Sequence, residues 1–182
     1  RRSLLERDRS EMIKQAVIMD YFTGELITQI CQEISHPEQE LQSGPKSDAL
    51  RRYALVKADT RDYLRQAQVR LILSPVVETL REDYASTDTL AAALTFTLDA
   101  TRESDMSGGY VGGNVLTLLR HLKVDLTGYD FSNLTIWQAY LQGLNLYNLN
   151  FENSDLSRSV FNQPFGSIRT MAFNPEGDVL AT

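Results

Sequence analysis

The stretch that decides the fold runs from residue 124 to residue 161 and reads VDLTGYDFSNLTIWQAYLQGLNLYNLNFENSDLSRSVF. An apolar residue returns in it at every fifth position, namely at Leu126, Phe131, Ile136, Leu141, Leu146, Phe151, Leu156 and Phe161. A period of five matches neither the helical period of about 3.6 nor the alternation of a strand. It predicts short faces joined by corners, with these eight residues pointing inward. One coil of such faces cannot bury its own core, so we expect the coils to stack as a solenoid.

Three segments share one five-residue pattern: Tyr129-Asp130-Phe131-Ser132, Gly143-Leu144-Asn145-Leu146 and Ser154-Asp155-Leu156-Ser157. This pattern resembles the pentapeptide-repeat family, Ala-(Asp/Asn)-Leu-x-x. The resemblance implies a right-handed four-sided β-solenoid of two coils over residues 124–163, with residues twenty apart stacked. The chain departs from the family where a small residue is usual, at Tyr129, Leu134, Leu144 and Leu149. The Asp and Asn residues of the pattern could indicate carboxylate catalysis or a calcium site, but their spacing favours hydrogen bonding at corners.

The chain before the repeat is predicted to be mostly helical. Residues 1–14 place two brief apolar segments around a polar turn and are predicted to form a hairpin. Residues 15–105 are assigned to a helical arm. Its predicted helices run from Ala16 to Ile34, from Ser47-Asp48 to about Leu73 with a kink or restart at Pro75, and from Thr89 to about Ala100.

Residues 106–123 are assigned to a linker and a capping helix. The helix, predicted from Gly113 to Leu122, directly precedes the first coil, and an exposed solenoid end needs a cover. The glycine-rich residues 108–114 precede this helix as a phosphate-binding loop would. No Gly-Lys-Ser/Thr follows them, however, so a flexible start to the cap is the favoured interpretation.

Residues 164–182 follow the repeat and are predicted to form a hairpin around the turn Asn174-Pro175-Glu176-Gly177. Gly166, Ile168, Ala172, Phe173, Pro175, Gly177, Leu180, Ala181 and Thr182 stand where the first blade of a WD-repeat propeller has the same residues. The segment therefore resembles the truncated start of a WD-repeat blade.

The front of the chain carries a second resemblance. Arg1-Arg2-Ser3-Leu4-Leu5 and Ala16-Val17-Ile18-Met19-Asp20-Tyr21 resemble the end of the winged-helix module in bacterial, especially cyanobacterial, signal-transducing (STAND) NTPases of the NB-ARC type. Such NTPases can carry a WD-repeat propeller behind a helical arm, which implies that the chain is a piece joining the two. Together these features predict an α+β fold: an N-terminal helical arm, a short right-handed four-sided β-solenoid and a closing β-hairpin.

Composition and charge narrow the function. The net charge of −6 argues against nucleic-acid binding, and no apolar run reaches the roughly 20 residues of a membrane span. Cys31 is the only cysteine and His36 and His121 the only histidines, so we expect no catalytic residue, no metal site and no disulfide. No cofactor is expected in this chain, whereas ATP or ADP would bind in the parent NTPase. A single cysteine favours a cytoplasmic protein.

Three aromatic residues are the candidate interface: Trp137, Tyr140 and Tyr147, at outward positions of the repeat. They are expected to contact protein, either the helical arm or the propeller. The leading hypothesis is a non-enzymatic connector that couples a WD-repeat sensor to a nucleotide switch through contacts between protein domains. The alternative is a pentapeptide-repeat DNA mimic that inhibits a DNA-binding enzyme.

Overall fold

The computed structural model describes residues 2–36, 48–103, 108–161, 172–173 and 180–181, with side chains within 18–36, 48–103 and 108–161. Its helices are α1 (Arg2–Ser35), α2 (Ala49–Arg52), α3 (Asp62–Gln68), a π-helical segment (Val69–Leu73), α4 (Ser74–Asp83), α5 (Thr87–Glu103) and α6 (Val111–His121). Two short strands, β1 (Ala172–Phe173) and β2 (Leu180–Ala181), pair in antiparallel fashion. The predicted turn between them lies outside the described residues.

The predicted hairpin over residues 1–14 is wrong, because helix α1 runs without interruption from Arg2 to Ser35. The polar run Asp8-Arg9-Ser10 is typical of a turn. No glycine or proline stands before Gly24, however, and the other residue types cost a helix only a few tenths of a kcal/mol each. The predicted helix from Ala16 to Ile34 is the C-terminal part of α1.

The long helix predicted from Ser47-Asp48 to Leu73 is also wrong. Helix α2 ends at Arg52, and residues 53–61 are not helical before α3 begins at Asp62. Backbone N–H groups in this gap donate to distant side chains instead of to a helix: Leu55 N to Asn114 Oδ1 at 2.9 Å and Ala58 N to Gln138 Oε1 at 2.8 Å. These bonds replace the helical ones that the apolar spacing favoured.

The later helices lie close to their predicted positions. The π-helical segment immediately precedes α4, whose first turn contains Pro75, so the proline marks a change of helical geometry as expected. Helix α5 begins at Thr87, two residues before its predicted start, and Thr89 N donates to Ser86 Oγ at 3.2 Å as a cap. Helix α6 begins two residues before its predicted start at Gly113.

The predicted fold class, α+β with a pentapeptide-repeat β-solenoid, is wrong. Residues 124–161, here named the turn segment, contain turns but no β-strand in the structure. Three isolated parallel bridges cross it, joining Asp130 to Asn150, Thr135 to Asp155 and Tyr140 to Val160. A strand ladder needs several consecutive residue pairs, whereas each bridge here consists of one isolated pair. The described residues are thus mainly helical.

The backbone explains why no ladder extends. Every fifth residue has a positive φ between 55° and 82°: Lys123, Gly128, Asn133, Gln138, Gly143, Asn148, Asn153 and Arg158. A residue in the left-handed region turns the chain, so extended runs end after one or two residues. The five-residue period is therefore a period of turns, closed by bonds such as Tyr129 N to Leu126 O at 3.1 Å and Ser154 N to Phe151 O at 3.1 Å.

One core unites the helices with the beginning of the turn segment. The first layer (residues 124–143) contributes Leu126, Phe131, Ile136 and Leu141 to the same buried cluster as α1, α4, α5 and α6. The second layer (residues 144–161) stacks on the first with a spacing of twenty residues, and the Phe131 and Phe151 rings lie 5.7 Å apart. The turn segment is thereby fixed to the helices through its first layer.

Candidate functional site

The predicted inward residues divide between the two layers. Leu126, Phe131, Ile136 and Leu141 of the first layer are at most 3% exposed. In the second layer Phe151 and Leu156 are half-buried, whereas Leu146 is 36% exposed and Phe161 41% exposed. Burial is therefore concentrated where the turn segment meets the helices.

Trp137 joins three parts of the chain. Its ring meets that of Tyr110, the residue before helix α6, edge-on with the centroids 5.7 Å apart. Its indole Nε1 donates to Asp155 Oδ2 in the second layer at 2.7 Å. The structure thus places this candidate interface residue in an internal contact between a helix and both layers.

The ring of Tyr140, a residue of the turn segment, contacts two arginines of the helical part. The guanidinium carbon of Arg65 is 4.0 Å from the ring centroid and that of Arg120 is 4.8 Å from it, which is cation–π geometry. Arg120 also donates to the backbone oxygens of Tyr140 at 2.7 Å and Gln142 at 3.2 Å. Tyr140 is therefore a second internal contact between helices and first layer.

Tyr147 is the one candidate interface residue that remains open to solvent. Its side chain is 68% exposed, and it lies on the second layer. Its backbone N–H donates to Asn145 Oδ1 at 3.2 Å, which fixes the turn but leaves the ring accessible. The three aromatic residues therefore do not form one surface.

Asn114 is a central residue that the sequence analysis missed. It is 3% exposed on helix α6, and its amide donates to Leu50 O at 2.7 Å and Tyr53 O at 2.8 Å while accepting from Leu55 N. The available signal was an asparagine among the apolar residues of this helix, since an amide that becomes buried requires hydrogen-bond partners.

Gln138 makes a comparable contact from the turn segment. It is buried, holds a φ of 60°, and its Oε1 accepts from Ala58 N at 2.8 Å. Arg102 of helix α5 adds a contact of the same type, donating to Ser132 O at 3.0 Å and Asp130 O at 2.9 Å. Helices and first layer are thus joined by side chains that bind the other part's backbone.

Gly112 and Gly113 bring helix α6 directly against the first layer. A Cβ on Gly112 would lie 2.6 Å from Thr135 O, and one on Gly113 would overlap Trp137 O. Their place in the sequence favours a flexible start to the cap, but both lie inside the helix. They serve a close approach of two backbones.

The Asp and Asn residues of the period act at corners, as predicted. Asp125, Asp130, Asn145, Asn150 and Asp155 each accept the backbone N–H two residues ahead, at 2.9–3.2 Å. These bonds, with hydroxyl donors from Thr127, Ser132 and Ser157, lower the pKa of the three aspartates. The carboxylates are occupied in turns.

A basic cleft of about 760 Å³ opens beside Tyr140. Arg65, Arg81, Arg120 and Lys123 line it together with one carboxylate, that of Glu78. His121 is also in its wall, 3.4 Å from Ser74 Oγ, and its pKa is lowered by burial and by the nearby Arg81 charge. A cleft with this lining favours an anion.

Other chemistry finds little support in the described part of the chain. No group of three His, Cys, Asp or Glu residues there could hold a metal ion. Burial, with a smaller effect of Asp83, raises the pKa of Cys31 to about 11, which disfavours the reactive thiolate. No helix among the described residues has the length and apolar character to cross a bilayer.

The helical unit with its two layers of turns has relatives among WD repeat-containing proteins of Nostoc sp. (strain PCC 7120). One uncharacterised WD repeat-containing protein is 40% identical over 208 aligned residues, which cover 100% of this chain and 16% of the relative. A second is 37% identical over 87 residues, 47% of this chain and 6% of that relative. The chain thus spans about a sixth of the length of the first relative. No family model matches it, and no solved structure does.

Proposed function

We propose that this chain is a non-enzymatic, cytoplasmic connector that couples a WD-repeat sensor to a nucleotide switch through contacts between protein domains. The joint between helices and turn segment carries the proposal. Side chains from both parts bind the backbone of the other, as Arg102 does with Ser132 O and Gln138 with Ala58 N. We expect such a joint to move as one body, because a connector between two modules must transmit displacement.

The relatives support the same proposal. Both are WD repeat-containing proteins, and the longer match leaves most of the relative outside the aligned region. Propeller repeats commonly present surfaces to other proteins. ATP or ADP of the nucleotide switch would bind in an upstream NTPase module.

The test measures whether one side of the connector affects the other. In the full-length polypeptide, the release rate of a fluorescent ADP analogue is recorded with and without the partner that the WD-repeat part binds. We expect the partner to change this rate, and we expect Trp137→Ala to abolish the change, because it removes the contacts to Tyr110 and Asp155.

A matched control uses another aromatic residue of the helical part. Tyr63 is 60% exposed, and none of the ring contacts in the described structure involves it, so Tyr63→Ala should keep the wild-type response. Partner-dependent ADP release that survives Trp137→Ala, or a full-length polypeptide that binds no nucleotide, would contradict the proposal.

A further inference from the structure

The basic cleft beside Tyr140 has the size and lining of a small-molecule site. Its volume of about 760 Å³ lies within the range of roughly 300–1,000 Å³ in which ligand pockets fall. Val69, Leu73 and Val77 form an apolar wall, and Tyr140, which belongs to the turn segment, also lines the cleft. The cleft thus combines apolar surface with a few convergent charges.

The charge balance of the cleft is opposite to that of the chain. Four cationic side chains and one carboxylate, Glu78, line it, although the chain carries a net charge of −6. His121 adds no charge at neutral pH because its pKa is lowered. A multiply charged anion would be attracted to this local excess of positive charge.

Two of the cations lie against the same aromatic ring. Arg65 and Arg120 both lie within 5 Å of the Tyr140 ring centroid, at 4.0 and 4.8 Å. Arg120 donates to backbone oxygens, and the Asp62 partner of Arg65 has a side chain that is 80% exposed. Arg65 is thus paired with a carboxylate, whereas Arg120 forms no ion pair among the described residues, so the Arg120 charge is available to an anion in the cleft.

The other two cations are free to reach a ligand. Arg81 and Lys123 are exposed and form no ion pair among the described residues. They belong to helix α4 and to the loop after α6, so they approach the cleft from different elements. Guanidinium and ammonium groups arranged around an anion favour phosphate, which offers several oxygens to different donors.

We propose that this cleft binds a small organic phosphate that carries at least two negative charges. The phosphate groups contact Arg81, Arg120 and Lys123, and the organic part lies against the Val69–Val77 wall. Because the cleft is formed by helices and first layer together, the bound ligand stabilises the joint between them. The observations that support this site do not depend on the connector role proposed above.

The test titrates the 182-residue chain with inorganic pyrophosphate in a calorimeter at low and moderate salt. We expect saturable binding to one site, a rise in the melting temperature, and an affinity about ten-fold lower for Arg81→Gln and for Lys123→Gln, each of which removes one charge-assisted bond. Acetate, a single-charge anion, should bind more weakly than pyrophosphate.

The matched control is Arg70→Gln. Arg70 is exposed on the adjoining π-helical segment and does not line the cleft, so its replacement should leave pyrophosphate affinity unchanged. Melting curves without ligand check that the variants fold. Absence of saturable binding at low millimolar pyrophosphate would overturn the proposal, as would an equal loss of affinity in the Arg70 variant and in the two cleft variants.

Discussion

Replacing Asn114 with alanine tests the joint where its structure is most specific. The side chain is 3% exposed and makes three hydrogen bonds to the backbone of residues 50–55. Alanine leaves the N–H of Leu55 and the carbonyl of Leu50 buried without partners, since both residues are at most 2% exposed. Each unsatisfied buried group costs about 1–3 kcal/mol, and the Tyr53 carbonyl is nearer to water. The free energy of unfolding should therefore fall by about 2–6 kcal/mol.

Urea unfolding followed by circular dichroism measures this change, and hydrogen exchange locates it. The Leu55 amide should lose protection first, because its acceptor is gone. Asn114→Asp is an informative companion: it keeps an acceptor for Leu55 but places a carboxylate against the two carbonyls, so it should be at least as destabilising as alanine.

The matched control is Asn145→Ala in the second layer. Asn145 is exposed and accepts one bond, from Tyr147 N at 3.2 Å, so its loss should cost about 0.5–1 kcal/mol. If Asn114→Ala costs no more than Asn145→Ala, the buried amide does not fix residues 50–55, and the explanation given for the interrupted helix is refuted.

Three further predictions compare two glycine variants, compare two phenylalanine variants, and test how stability depends on the titration of Asp125. Gly113→Ala should destabilise the chain by more than about 2 kcal/mol in urea unfolding, because its Cβ would overlap Trp137 O. Gly24 lies in open space inside α1, so Gly24→Ala should stabilise the chain by up to about 1 kcal/mol. Equal effects of the two substitutions would contradict the close approach at Gly113. Phe131→Ala should lower the free energy of unfolding by about 3–5 kcal/mol and Phe161→Ala by less than half of that, since Phe131 is 0% and Phe161 41% exposed; a reversed order would contradict the assigned core. The Thr127 hydroxyl and backbone N–H lower the pKa of Asp125 in the fold, so its stabilisation is present above the unfolded pKa of about 3.9 and is lost as the pH falls through the lower folded pKa. Asp125→Asn keeps the acceptor and does not titrate, so its urea midpoint should fall less than wild type between neutral pH and about pH 3, and an unchanged acid loss would contradict the linkage.

The turn segment shows how far periodicity could predict the fold. The spacing of five identified the residues that the first layer buries, such as Phe131 and Ile136, and the family resemblance implied the stacking of residues twenty apart. It did not predict that every fifth residue takes a positive φ, because Gln138 and Arg158 do so as well as glycine and asparagine. The ladder therefore stops at single bridges, and the inference of a β-solenoid failed at that step.

The helical part shows the opposite limit. Apolar spacing around Tyr53 and Ala54 predicted a continuous helix, but the groups that interrupt it lie far away in sequence. Asn114 is 59 residues from Leu55, and Gln138 is 80 residues from Ala58. Local propensity cannot register such partners, and tertiary hydrogen bonds override it.

The candidate site was predicted only in part for the same reason. The sequence marked Trp137 and Tyr140 through their outward places in the repeat, and the structure places both between the turn segment and the helical part. The basic cleft had no sequence signal, because Arg65, Arg81 and Lys123 come from separate elements and are interspersed with acids. Only their assembly in space creates a local charge.

The contact through Gly112 and Gly113 has a mechanical consequence. Most helix contacts pass through side chains, which can change rotamer and so absorb a small displacement. Here the helix backbone lies so close to the Thr135 and Trp137 carbonyls that a Cβ on Gly112 or Gly113 would clash with them. The contact therefore has low compliance: a shift of helix α6 by a fraction of an ångström must displace the first layer by a similar amount, and the second layer bridged to it must follow.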